Sequence, residues 1–250
     1  MNKAGKNDRI RARKDGEHAM KLLIVIPAFN EAENIARVVK ELQKTVPEYD
    51  FVIVNDGSRD RTGAICRENG YPTLNLSTNL GLTVAFQTGM RYAWEKGYDA
   101  VIQIDGDGQH DPQYISAMAE KMEADGADLV IASRFMNGKR TRTLRTFGNT
   151  ILCKAVRLTT GRKITDSTSG MRMYGRRVLE IMANDLNSTP EPDTVTYLLL
   201  CGAKVEEYPV TMRERTGGES YLSPAKSIAY MVHMCLSICL IQRLRKRRAL

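Results

Sequence analysis

Cysteine is sparse in this chain and never clustered. Five residues, Cys66, Cys153, Cys201, Cys235 and Cys239, are scattered over 250 positions, with no Cys-x-x-Cys pair and no Cys/His group. That pattern suggests neither a zinc site nor a disulfide framework and reads most simply as reduced cytosolic thiols. Aromatics are also few, at 6%, with Trp94 the only tryptophan. The basic residues are not interleaved with aromatics, so nucleic acid is not an expected partner. The first 20 residues are polar and basic and lack the apolar stretch of a secretory signal. No apolar run reaches the ~20 residues needed to cross a membrane. Internal repeats and low-complexity tracts are absent.

What is present is a hydrophobic content of 42% and a formal charge of +8. The first is enough for one sizeable core, and the second favours anionic partners such as nucleotides or phospholipid headgroups. Leu22–Ile26 is a continuous apolar run, the mark of a strand buried on both faces, and Pro27 is expected to end it. Asn30 is placed to cap a helix over 31–45 whose apolar stripe is Ile35, Val38, Val39 and Leu42. Strands are expected near 51–54, 73–76, 100–104 and 128–132, and helices over 60–69, 80–96 and 112–125. Such alternation predicts an α/β protein, a mostly parallel Rossmann-like sheet with helices on both faces. The second half is less regular. It reads as a basic helix over 141–159, a polar turn over 166–172 before a short strand, a helix over 191–201, a strand over 204–207 and a Gly-containing loop over 213–220.

The most informative stretch is Ala100–Pro112, where an apolar run ends in Asp105-Gly106-Asp107. In extended chain, residues two apart point the same way, so both carboxylates converge just beyond the strand. Like charges so placed favour a hard cation, Mg²⁺ or Mn²⁺, with coordination positions left for substrate phosphates. Asp and Gly are also ordinary turn formers, so the tripeptide alone is weak. The context strengthens it. Pro27–Glu31, Asp56–Ser58, Asn79 and Asp105–Gln109 all fall at or near the carboxyl ends of strands, where doubly wound sheets bind ligands.

These blocks together resemble the family 2 glycosyltransferases of GT-A fold. The residues are Ile26-Pro27-Ala28-Phe29-Asn30-Glu31; Val54-Asn55-Asp56-Gly57-Ser58 with Asp60 and Thr62; Asn79-Leu80-Gly81 with Ala85 and Gly89; and Asp105-Gly106-Asp107. The likeness runs in order over roughly residues 22–222. Within that family it is nearest the polyprenyl-phosphate sugar transferases, the dolichol-phosphate mannose synthase-like subgroup. Gln109, His110 and Pro112 carry this, with Asp166 to Arg172 and the Arg215, Gly218, Ser220 loop. The Gln-x-x-Arg-Trp motif of processive polysaccharide synthases is absent.

The resemblance implies a metal-dependent, inverting hexosyltransferase. Its donor would be a UDP- or GDP-linked sugar and its acceptor polyprenyl phosphate, at the cytoplasmic face of the cell membrane. Asp105, Asp107 and Gln109 would form the metal site. Pro27, Asn30, Glu31, Asp56, Gly57, Asp105 and Gly106 would bind the donor. Arg134, Arg145, Ser169, Arg172, Arg215 and Ser220 would bind the acceptor, with Asp105, Asp107, Arg172 and Arg215 counted as catalytic. A glycan hydroxyl is the alternative acceptor. It would need a general base, and Asp166, Glu191 and Asp193 are the candidates. A nucleotidyltransferase would place a Gly-rich basic loop where Pro27–Glu31 stands. A sugar-nucleotide- or membrane-binding module with a dead site is the non-enzymatic rival.

By domain, the sequence divides into a basic lead-in (1–20), a catalytic unit (21–222) and a tail (223–250). Ile228–Ile241 is strongly apolar and is followed by Arg243, Arg245, Lys246, Arg247 and Arg248. That predicts an amphipathic helix docking directly on a membrane surface, or recruitment by a membrane protein.

Overall fold

The computed structural model describes residues 20–136, 144–185, 189–213, 224–248 and 250. One seven-stranded sheet organises them. Its strands are β1 (Leu22–Ala28), β2 (Asp50–Asn55), β3 (Thr73–Asn75), β4 (Ala100–Gln103), β5 (Leu129–Ser133), β6 (Arg172–Gly175) and β7 (Val205–Pro209). Their spatial order is β3-β2-β1-β4-β6-β5-β7. β6 runs antiparallel to both β4 and β5, and the other pairings are parallel. A parallel crossover needs a helix or its equivalent, and the helices supply it. They are α1 (Ile35–Thr45), α2 (Thr62–Glu68), α3 (Leu82–Glu95), α4 (Tyr114–Asp125), α5 (Leu144–Thr160), α6 (Arg176–Asn184) and α7 (Pro192–Leu200). The tail forms α8 (Pro224–Leu236), a π-helical turn (Ser237–Ile241) and α9 (Gln242–Leu244).

Alternation along β1 splits the core in two. Leu23 and Val25 join Phe86, Tyr174 and Leu198 on one face. Leu22, Ile24 and Ile26 join Ile35, Val38 and Met118 on the other. The continuous apolar run is therefore covered on both sides, as its composition requires. The α1 stripe buries Ile35, Val38, Val39 and Leu42, the four positions predicted. Gly89 lets α3 lie against β1, because a Cβ there would stand 2.3 Å from Val25 Cγ1.

Three expectations are corrected. Pro27 does not end β1 but pairs in register with Val54, its missing N–H falling near the strand's end. Asn30 does not cap α1, which begins at Ile35 after Asn34. The tail helix is not divided into one apolar and one polar face: Met234 and Ile238 are buried while Ile228, Val232, Leu236 and Leu240 are exposed, so it is apolar on both sides. The sequence reading also missed α6 and the reversed direction of β6. No helix among the described residues is long and apolar enough to cross a membrane.

Candidate active site

Beyond the carboxyl ends of β1, β2 and β4 lies a cleft of about 1060 Å³. It is lined by the β1 loop from Pro27 to Asn34, by Asp56, Asp60 and Arg61, by Asn79, Gly81 and Leu82, and by Asp105-Gly106-Asp107. Pro27, Asn30, Glu31, Asp56, Asp105 and Gly106 thus share one cavity. Gly57 and Gln109 do not line it.

The loops are fastened to one another by hydrogen bonds from backbone amides to side-chain oxygens. Asn30 adopts φ 56°, a left-handed conformation that asparagine tolerates. Its Oδ1 accepts from the Arg59 amide (2.9 Å), and its own amide donates to Ser58 Oγ (3.0 Å). The Glu31 amide donates to Thr62 Oγ1 (2.8 Å) and the Ala32 amide to Asp60 Oδ2 (3.0 Å). Burial acts to raise the Asp60 pKa, but hydrogen bonds from the Thr62 hydroxyl and amide and the Ala32 amide outweigh it and hold the carboxyl below its usual range. Asp56 is 3% exposed and accepts from the Leu80 and Gly81 amides, each at 2.8 Å. It fixes the loop ahead of α3 as well as facing the cleft. Gly57 carries φ +61°, and a Cβ there would meet the Thr78 carbonyl carbon at 2.3 Å. Its part is to let two loops touch.

Asp105 and Asp107 reach the cleft by a different route from the one the sequence suggested. The chain after Gln103 is turn rather than extended strand, and Gly108 carries φ +79°. Alternation therefore does not set their direction; the turn does. Gly106 passes close to the β1 loop, with a Cβ there 3.3 Å from Pro27 O and Glu31 Cγ. Asp107 is buried, and its Oδ1 accepts from the Gln109 amide (2.9 Å). His110, in sequence only one letter of a motif, accepts at Nδ1 from the Asp105 amide at 2.9 Å. That assigns its proton to Nε2, which faces Asp105 Oδ2 at 3.7 Å. Arg37, missed entirely, lies beneath the same turn and donates to Asp107 O (3.3 Å). As a lone arginine on α1 it carried no sequence signal.

Among the described residues the lining includes six acidic residues, Glu31, Glu33, Asp56, Asp60, Asp105 and Asp107, against one basic residue, Arg61. An anionic diphosphate would meet repulsion here without a cation. Among the described residues no group of three or more His, Cys, Asp or Glu is poised to hold a metal. A pair of carboxylates is nonetheless the usual complement for Mg²⁺ when substrate phosphates supply other ligands, so Asp105 and Asp107 fit such an ion.

The predicted acceptor residues do not share this cavity. Arg134 forms a bidentate pair with Asp166, Nε to Oδ2 at 2.6 Å and Nη2 to Oδ1 at 2.7 Å, and also donates to Thr168 Oγ1 (2.8 Å). Asp166 is fully buried. Glu207, which the sequence reading passed over, accepts from the Thr165 amide and hydroxyl (2.8 Å each) and the Asp166 amide (2.9 Å). Its only signal was a charge at the end of a strand. Arg172 departs from the expected open, phosphate-gripping side chain. It is 1% exposed and donates to Ser167 O (2.8 Å) and Glu191 O (3.2 Å). Placement on β6 in the middle of the sheet turns it into the core. Ser169 is likewise buried, its hydroxyl directed at Met171 O. Arg215, Ser220 and the Arg145 side chain lie outside the described residues.

A mostly parallel α/β sheet with an acidic cleft built from the loops beyond its parallel strands is the architecture of proteins that bind ligands at that edge. Residues 23–182 match Glycosyl transferase family 2, and the chain belongs to that family. It is 31% identical over 217 residues to the polyprenol monophosphomannose synthase of Mycolicibacterium smegmatis, covering 80% of each chain. It is 30% identical to the undecaprenyl-phosphate mannosyltransferase of Micrococcus luteus, over 82% of this chain and 88% of that protein. The fold also matches glucosyl-3-phosphoglycerate synthase from Mycobacterium tuberculosis, solved with Mn²⁺, UDP-glucose and phosphoglyceric acid. There the TM-score is 0.66 at 19% identity, over 88% of this chain and 80% of that one. The protein is a glycosyltransferase.

Proposed function

We propose that the protein transfers a hexose from a UDP- or GDP-linked donor to a polyprenyl phosphate, by single displacement with inversion, working peripherally at the inner face of the cell membrane. Asp105 and Asp107 would hold Mg²⁺ or Mn²⁺, with Gln109 orienting Asp107 through its amide. When bound, the ion would act as a Lewis acid, neutralising charge on the departing diphosphate. The loops at Pro27–Asn34, Asp56 and Asp60 hold the nucleoside. An acceptor phosphate oxygen forms the bond to the anomeric carbon as the bond to the donor's diphosphate breaks, and the electron pair leaves with the nucleoside diphosphate.

One observation carries the choice of acceptor. None of the three candidate bases for a hydroxyl acceptor lines the cleft, and each already accepts at least one hydrogen bond, Asp193 through Oδ2 alone while its Oδ1 is buried away from solvent. Asp166 is gripped by Arg134, Glu191 accepts from Tyr230, and Asp193 Oδ2 accepts from Ser237 (2.7 Å) and Gln242 (3.2 Å). A phosphate is ionised near neutral pH and needs no base, whereas a hydroxyl needs one within hydrogen-bond reach. The names of the two relatives, both polyprenyl-phosphate mannosyl enzymes, support the same reading. The test is incubation with radiolabelled UDP-glucose, UDP-N-acetylglucosamine and GDP-mannose plus undecaprenyl phosphate, with and without Mn²⁺ or Mg²⁺. Metal-dependent, organic-extractable label is expected. Label confined to water-soluble glycan would overturn the acceptor.

A further inference from the structure

The outer surface of the two-helix layer formed by α5 and the tail has the wrong chemistry for water. Phe147, Ile151 and Leu158 recur at helical spacing on α5, and Phe147 and Leu158 are 66% and 78% exposed. On the tail, Ile228, Val232, Leu236 and Leu240 follow at intervals of four, and Leu244 beyond them is 87% exposed. A helix that is apolar all round is ordinarily buried on all sides. This one buries Met234 and Ile238 against the core and leaves the opposite side bare.

The two stripes are neighbours. Met231 Sδ stands 3.2 Å from where a Cβ on Gly148 would be, and Arg243 Nη2 donates to Leu158 O at 3.2 Å. They make one continuous apolar face of a kind that marks an interaction site. Its charge is equally one-sided. Neither 144–160 nor 224–250 contains a single acidic residue, and Lys154, Arg157, Arg243, Arg247 and Arg248 are exposed around it.

We propose that α5 and the tail together form a composite docking face that inserts shallowly into the leaflet of an anionic bilayer. An apolar strip on helices that carry cations and no carboxylate of their own is the pattern for binding in the plane of such a surface. The inner side of α5 gives the placement a purpose. Asn149 donates to Thr165 O (3.0 Å) and meets Thr168, within the turn that carries Asp166 and so holds Arg134. One helix thickness, about 10 Å, therefore separates the bilayer-facing residues from that arginine. This deepens the peripheral location proposed above and rests on that reading.

The test is co-sedimentation of the full chain with vesicles of phosphatidylglycerol and phosphatidylethanolamine, and with phosphatidylcholine alone. Binding to the anionic vesicles is expected, weakened at least tenfold on phosphatidylcholine or at high salt. F147S/L158S, with an intact tail, should weaken it by about tenfold or more, as should V232S/L240S. Both should keep the wild-type circular dichroism and wild-type turnover on a water-soluble short-chain prenyl phosphate. Wild-type vesicle affinity in F147S/L158S would overturn the composite face. So would a wild-type chain that ignores vesicles and instead forms a dimer that these substitutions dissociate. Absence of turnover on the soluble acceptor alone, with vesicle binding intact, would strike the acceptor assignment and leave the docking face standing.

Discussion

Asp166→Asn tests whether this carboxylate is a clamp or a base. Asp166 is fully buried, while the Arg134 side chain is 17% exposed. Its oxygens take donations from Arg134 Nε, Nη2 and the backbone amide, and from Thr168. Removing one partner of a buried pair costs about 3–5 kcal/mol, because the other charge is stranded. Arg134 retains some contact with water, so Asp166→Asn should cost about 2–3 kcal/mol, at or below the low end of that range. Arg134→Gln strands the fully buried carboxylate and should cost about 3–4 kcal/mol. The double variant carries no stranded charge and should cost little more than the worse single change, leaving a coupling of about 2 kcal/mol. Urea unfolding followed by circular dichroism reads all three. Additivity within about 0.5 kcal/mol would refute the clamp. Kinetics give a second, independent check. A clamp variant should raise the acceptor KM while the pH profile keeps its shape. Loss of an ionisation from that profile would make Asp166 a base and favour a hydroxyl acceptor.

Other outcomes follow from the same geometry. Asp107→Asn should lower transfer by about 10²–10³-fold and abolish nucleotide-dependent Mn²⁺ binding seen by electron paramagnetic resonance, with the melting temperature little changed. Gly57→Ala combines a left-handed φ with a backbone clash and should cost about 2–4 kcal/mol, whereas Gly70→Ala, with φ +66° and nothing within 4 Å, should cost only about 1 kcal/mol; thermal melts compare them. Asp60 has a folded pKa below its ordinary 3.8, so its contribution to stability is present above 3.8 and is lost as pH falls through the lower, folded value. Asp60→Asn should therefore be less stable than wild type near neutrality, and the gap should close on acid titration below that point.

The donor half was legible because its signals were local. Apolar runs marked β1, β2 and β4, a stripe marked α1, and the Gly- and Asp-containing loops fell where parallel strands end. What misled was local geometry between elements. Asn30 looked like a cap because the spacing to the α1 stripe allowed it, yet its Oδ1 bonds to Arg59, 29 residues on. The two metal-motif aspartates were assigned by strand alternation, but a turn with Gly108 at positive φ orients them. The acceptor half depends on long-range pairing that single-sequence periodicity does not encode. Arg172 looked like a loop arginine until β6 proved to run antiparallel between β4 and β5, which buries it. Glu207 meets Thr165 across 42 residues. His110 was visible as a letter in a motif, but its bond to the Asp105 amide depends on the turn that joins them.

Charge is divided over the molecule in the way the chemistry requires. Six acidic residues face the donor cleft, although the whole chain carries +8. The excess of positive charge is therefore elsewhere, and much of it lies on α5 and the tail, whose own segments contain no acidic residue, although Asp185 pairs with Arg245 at 2.7 Å. On the proposed function, a diphosphate entering the cleft would bring a cation with it, to offset repulsion from the carboxylates that Arg61 alone does not balance. On the proposed function, a lipid phosphate approaching from an anionic leaflet would meet the opposite field, that of the exposed lysines and arginines of the two helices, before reaching the paired Arg134. Arg134 is held by Asp166 at two atoms, so its direction is set before any acceptor arrives, and preorganisation of that kind lowers the ordering cost of binding. On that proposal the two reactants would arrive under fields of opposite sign, and an acceptor bearing its own negative charge is the one such a field would collect.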